Sequence, residues 1–183
     1  MEKNGTISLL VNSAGIIGGS TVELTFKQEE MESIMHINYT SAVLLSQLVY
    51  EGMKTLGRGA IVNVSSLSGL RGTTGNTAYA GSKFALIGFT HSMALEAIPH
   101  GIRVNAVCPG YVDTEMGETA IANKGEREGR TYEEQLEAAK SGIPSGSLTR
   151  SEDVANTIAF LLTNAAQNIV GESVKISGGS VLR

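Results

Sequence analysis

The sequence predicts an α/β domain built on a parallel sheet. Short runs rich in Val, Ile and Leu alternate with longer stretches of helical period, the pattern of repeated strand–helix–strand units. Each short run closes in small polar residues and glycine, so the chain passes straight from strand into loop and helix. The 183 residues, 42% hydrophobic and 17% charged, suffice for one core, and 22 glycines supply the tight turns such units need.

The elements follow in chain order. Ile7 to Val11 reads as the first strand and closes in Asn12-Ser-Ala-Gly15. Thr25 and Gln28 make a capping-box pattern ahead of one long helix, from about Lys27 to Met53, with Met31, Ile34, Met35, Asn38 and Val43 on its inner side. The apolar run Ala60–Val64 is the second strand and opens into Ser65, Ser66 and Gly69. A helix carrying Tyr79 runs to about Ala97 and stops at Pro99-His-Gly101; Ala78, Ala80, Gly81, Ser82, Ala85, Gly88 and Ala94 let another backbone approach it closely. Ile102 to Cys108 is the third strand, stopped by Pro109 and Gly110. The polar stretch 115–142 reads as a helical flap. Ser151–Leu162 is a helix with Ser151 at its cap and Glu152 and Asp153 in its first turn, as the macrodipole favours. Ser173–Ile176 is the last strand. Without repeats or low-complexity linkers, 1–183 is expected to form a single domain.

Tyr79 and Lys83 stand four residues apart, one helical turn, so phenol and ammonium can share a face. An ammonium held there is expected to pull the phenol below its usual value of about 10 and make it a usable acid–base catalyst. By itself Tyr-x-x-x-Lys also fits an exposed Tyr and a solvated Lys. Ser66, thirteen positions upstream, lies just past the end of a strand, where ligands bind in open α/β sheets. Pro109-Gly110 ends another strand in the same way. Asn38 falls mid-helix among apolar neighbours, where an amide has four hydrogen-bonding valences to satisfy, either in a site or against a neighbouring strand.

In order and spacing, Leu10–Gly15, Asn38, Val64–Ser66, Tyr79–Lys83, Ile102–Gly110, Thr114, Gly171-Glu172 and Gly178-Gly179 resemble the short-chain dehydrogenase/reductase family in its classical form, over nearly everything from Ile7 to Gly179. The resemblance implies a Rossmann-like, doubly wound parallel sheet. Ile7–Val11 is similar to the family's fourth strand, and Gly15, Gly18 and Gly19 do not fit G-x-G-x-x-G. The expectation is therefore an N-terminally truncated sheet of about four strands, lacking the Gly-rich cofactor-binding half. The resemblance also implies an oxidoreductase that passes hydride between a nicotinamide and a carbonyl or secondary alcohol. Tyr79 would donate and accept the proton, Ser66 would bind the substrate oxygen, Lys83 would hold the nicotinamide ribose, and Asn38 would hold a water in the relay. Asn12, Ala14 and Gly15 would line the adenosine-ribose and central region. Pro109, Gly110, Val112 and Thr114 would join Tyr79 and Lys83 around the carboxamide and phosphate side. NAD or NADP is undetermined, because the strand that sets the choice has no counterpart. The flap would cover a small-molecule carbonyl or alcohol substrate. The two long helices would build a subunit interface, giving a homo-oligomer or association with a full-length relative. Ser147 replaces a usual Arg and Ser177 a common Asp, which bears on those subunit contacts. The alternative is a catalytically silent fragment or shortened isoform acting only as a partner subunit, its first strand a bare apolar edge prone to aggregation.

Other classes find no support. A net charge of −4 and a pI near 5.4 argue against nucleic acid. No apolar run approaches the roughly 18 residues of a membrane span, and the opening residues lack signal-peptide character, so the expectation is a cytoplasmic protein with no membrane partner. Cys108 is the only cysteine, which excludes an internal disulfide and fits a reducing compartment. His91 and His100 lack spaced partners, so no metal site is expected.

Overall fold

The computed structural model describes residues 5–18, 21 and 27–182. Four strands, β1 (Leu9–Asn12), β2 (Gly59–Val64), β3 (Ile102–Pro109) and β4 (Ser173–Ile176), lie side by side in that order, every pair parallel. Parallel neighbours need long crossovers, and helices provide them. Between β1 and β2 run α1 (Gln28–Met35) and α2 (Ser41–Leu56), and between β2 and β3 runs α3 (Thr77–Ala97). Between β3 and β4 come α4 (Glu115–Glu128), α5 (Tyr132–Ser141) and α6 (Ser151–Leu162). The flap segment is thus the helix pair α4–α5.

The sheet is covered on both faces, so β2 and β3 are buried almost continuously rather than at alternate positions. On one face Met53 of α2 and Met93, Ala94 and Ala97 of α3 pack on Ile61, Ile102 and Val104. On the other, Leu161 of α6 and Ala166 pack on Val62 and Val107. A third cluster joins Leu67 and Ile87 to Ala106 and Cys108, next to the strand ends. β1 is the exception: it begins at Leu9 rather than Ile7, and Leu9 and Val11, with Ile7 just ahead of it, are exposed at the sheet edge as the sequence led us to expect.

A polar rung crosses this core. Asn12 and Asn63 are register partners, and the Asn12 amide donates to Asn63 Oδ1 at 2.8 Å and to Ser46 Oγ of α2 at 3.1 Å. Asn63 then donates to Thr90 Oγ1 of α3 at 2.9 Å. These bonds fix both helices against the strands and pair every buried side-chain polar atom of the rung except Asn12 Oδ1, which has no partner among the described residues.

Three boundaries differ from expectation. The long helix is not uniform: His36–Thr40 is a π-helical turn between α1 and α2, and the last residue is Leu56, where Gly57 turns left-handed at φ 62°. The extra residue of a π turn shifts the inner stripe. The buried positions are Ile34, Asn38, Ala42, Ser46 and Met53, while Met31, expected inside, is exposed. Thr25 lies outside the described residues; Lys27 takes the N-cap position without a side-chain cap. Ser151 is not the cap of α6 but its first helical residue. Arg150 caps the helix, gripping Asp153 Oδ1 at 2.7 Å, because that carboxylate reaches back to the preceding turn.

Candidate active site

Parallel register aligns the carboxyl ends of β1, β2 and β3, since Asn12 pairs with Asn63 and Val64 with Val107. The residues just past those ends therefore share one edge, the place where open α/β sheets bind ligands. A cavity of about 400 Å³ opens there. Ser13 and Gly15 follow β1 on its wall, Ser65 and Ser66 follow β2, Pro109 ends β3 and Gly110 to Val112 and Thr114 follow it, and Ser177 follows β4. Tyr79 and Lys83 reach it from the first turns of α3, and α4 contributes Met116, Ala120 and Lys124.

Backbone packing sets the position of Lys83. The 3₁₀ turn Leu67–Gly69 lies against α3, and Ser65 Oγ donates to the Lys83 carbonyl at 3.1 Å. A Cβ on Gly69 would stand 2.8 Å from that carbonyl oxygen, so only glycine admits this approach. Lys83 Nζ then reaches beneath the cavity to donate to the Val64 carbonyl at 3.0 Å, and it lies 5.6 Å from the centre of the Tyr79 ring. Ser66 Oγ accepts from Ser68 N at 3.1 Å and also hydrogen-bonds Tyr79, which places two hydroxyls side by side.

Asn38 has most of its valences filled. Its amide donates to the Ile16 carbonyl at 2.9 Å and to Ser82 Oγ at 3.0 Å, and its Oδ1 accepts from Ile16 N at 2.8 Å. Ser82 Oγ donates in turn to the Tyr79 carbonyl at 2.7 Å. Asn38 therefore clips the loop after β1 to α3. One lone pair of Oδ1 is left, 3.5 Å from where a Gly15 Cβ would stand, with Lys83 Nζ 3.4 Å from the same point.

The electrostatics reverse one expectation. Tyr79 is raised above its ordinary value, not lowered: burial outweighs the hydrogen bond from Ser66. Lys83, only 4% exposed, is pushed down to about 8 by the same loss of water, with Cys108 acting weakly the other way. The spacing of Tyr79 and Lys83 is as read from sequence, but desolvation dominates the pair. Cys108 is itself pushed up to about 11 by burial and stays a neutral packed thiol.

Of the residues singled out by sequence, Gly15, Ser66, Tyr79, Lys83, Pro109, Gly110, Val112 and Thr114 stand together on the cavity wall. Asn12 turns inward to the polar rung, and neither it nor Ala14 is on that wall. Asn38 acts from behind Gly15. Thr114 caps α4, accepting from Gly117 N at 3.3 Å. Sequence reasoning missed Ser82, whose signal was a hydroxyl on a closely packed helix face, and Arg71, Asn76, Tyr111 and Lys124, which lie in loops and helices of no recognisable pattern. Among the described residues no cluster of His, Cys, Asp or Glu could hold a metal ion, and no helix is long and apolar enough to cross a membrane.

The sequence profile described as enoyl-(acyl carrier protein) reductase matches residues 1–180. A 3-oxoacyl-[acyl-carrier-protein] reductase of Vibrio cholerae is 37% identical over 178 residues, covering 97% of this chain and 68% of the relative. The corresponding reductase of Thermotoga maritima is 35% identical, covering 100% and 69%. Among solved structures, an NAD⁺-bound xylitol dehydrogenase superposes with a TM-score of 0.90 at 27% identity, over 95% of this chain and 69% of that one. An oxidoreductase from Burkholderia thailandensis, described as of the short chain dehydrogenase/reductase family, gives 0.84 at 30% identity, over 97% and 66%.

Proposed function

Because this chain belongs to the short-chain dehydrogenase/reductase family, we propose that it is an NAD(P)-dependent oxidoreductase interconverting a carbonyl and a secondary alcohol, with Tyr79 as its acid–base. One observation carries the reading: Ser66, Tyr79 and Lys83, from a loop and two turns of a helix, converge on one cavity at the carboxyl edge of the sheet.

The residues present fit the nicotinamide end of the cofactor. Lys83 Nζ has one protein acceptor, leaving two donors for a ribose diol, and the missing Cβ of Gly15 leaves room beside it. Pro109, Gly110, Val112 and Thr114 would hold the carboxamide side; Asn12 would act only through backbone, its side chain being turned into the sheet. When bound, the cofactor supplies or takes the hydride. Ser66 would bind the carbonyl oxygen. Tyr79 Oη, kept protonated by burial, would pass its proton to that oxygen as the alcohol forms. Asn38 would offer the spare Oδ1 lone pair to a water that replenishes the proton. The helix pair 115–142 would close over substrate, and subunits would associate through α2 and α3.

The partner-subunit reading has one observation in its favour, the open β1 edge with Leu9 53% exposed. Titration with NADH and with NADPH, followed by nicotinamide fluorescence, separates the two. The enzyme reading expects saturable binding, weakened by Lys83→Ala, and ketone reduction lowered about 10²–10⁴-fold by Tyr79→Phe. A folded protein that binds neither nucleotide is not an oxidoreductase.

A further inference from the structure

The mouth of this cavity carries a second set of groups that proton transfer does not use. Arg71, in the loop after β2, lines the wall, as does Tyr111 after β3. Arg127, on the last turn of α4, lies flat on Gly75 of the loop that also carries Arg71. A Cβ at Gly75 would stand 2.7 Å from the guanidinium carbon, and the glycine has φ +77°, so bare backbone is what lets the guanidinium rest there. Tyr111 stands within the fields of Arg127, Glu128 and Arg71.

The local carboxylate does not neutralise them. Glu128 is taken by Arg130 at 2.8 Å and by Lys124 at 3.8 Å. Among the described residues no carboxylate lies within ion-pair distance of Arg71 or Arg127. In a chain of net charge −4, Arg71 on the cavity wall and Arg127, packed on Gly75 next to the lining residue Asn76, thus have no acidic partner. A guanidinium presents a planar fork that matches carboxylate and phosphate, and a cleft focuses its field.

We propose that the substrate carries an anionic group, a carboxylate or a phosphate, which Arg71 and Arg127 hold at the cavity mouth while the carbonyl lies inside. This rests on the oxidoreductase reading for the word substrate, so the test measures binding, and turnover is measured apart. Isothermal titration of the full chain would use two matched pairs: acetoacetate with methyl acetoacetate, and dihydroxyacetone phosphate with dihydroxyacetone. The expected result is that the anion of at least one pair binds roughly 10- to 100-fold more tightly than its neutral counterpart, and that Arg71→Met and Arg127→Met each remove most of that difference. Which pair shows the preference distinguishes carboxylate from phosphate. Equal binding of anion and neutral counterpart in both pairs, no saturable binding of either anion, or an anion preference that survives both substitutions overturns the proposal. Reduction of the neutral ketones by the wild type reports on the oxidoreductase reading independently.

Discussion

Lys83 is a cation held almost out of water, and its cost and its use are the same fact. Its folded value of about 8 lies below the roughly 10.4 of a free lysine, so the unfolded chain binds more protons between these values and stability rises with pH across that window. Below pH 8 the penalty is fully present. Lys83→Met removes the charge and keeps the stem, and is expected to stabilise the protein by about 1–3 kcal/mol at neutral pH, the gain shrinking above pH 8. Denaturant unfolding at pH 7 and at pH 10 would check it, and an equal gain at both would refute the desolvation account. If the ammonium orients the ribose, reduction should also fall as pH rises through about 8, where Lys83 loses its charge and Tyr79 still keeps its proton. A kcat/KM profile flat from pH 7 to 9 would exclude that role. The pairing of Tyr79 and Lys83 was legible because four residues is a helical repeat. The direction of the phenol's shift was not, since burial is a property of the surroundings and not of spacing.

At the scale of elements, the π turn at His36–Thr40 matters most. π turns are rare and tend to mark functional sites. Here the turn sets Asn38 among three partners on two elements, Ile16 N, Ile16 O and Ser82 Oγ. Asn38→Leu would leave Ile16 N and Ile16 O without these bonds in a partly buried position. The expected loss is on the order of 2–4 kcal/mol, with slackening of the loop that carries Gly15 and weaker nucleotide binding. Chemical denaturation paired with the NADH titration would measure both, and a variant of unchanged stability would show that these bonds contribute little. The helix itself was readable from its apolar period, and β4 and the end of α3 fell where expected. The interruption was not readable, because no residue in His36–Thr40 breaks a helix on its own. The same limit applies to α6, where Arg150 caps through Asp153 and outcompetes the Ser that propensity favours.

Over the whole molecule, apolar side chains remain uncovered on several faces. Leu48 of α2 and Leu95 of α3 are each 77% exposed, and Leu44 and Phe84 accompany them on the same two helices. Surfaces of this kind mark association sites. Sedimentation of the wild type is expected to show a defined oligomer, and Leu48→Lys combined with Leu95→Lys to dissociate it without loss of helical signal. An unmodified chain that sediments as a monomer would argue against association through these helices. What the sequence determined by itself was the parallel α/β class and the order of the elements, because these depend on periodicity and strand-ending residues along the chain, and, through the resemblance of its motifs, the family and the candidates Ser66, Tyr79 and Lys83. Tertiary structure alone decided the rest: that the Asn12 side chain turns into the sheet while Gly15 reaches the cavity, that Tyr79 is raised, and that Arg127 packs on Gly75 in the loop that carries Arg71. Each depends on distance and desolvation between residues far apart in the chain, and only the packed fold sets those.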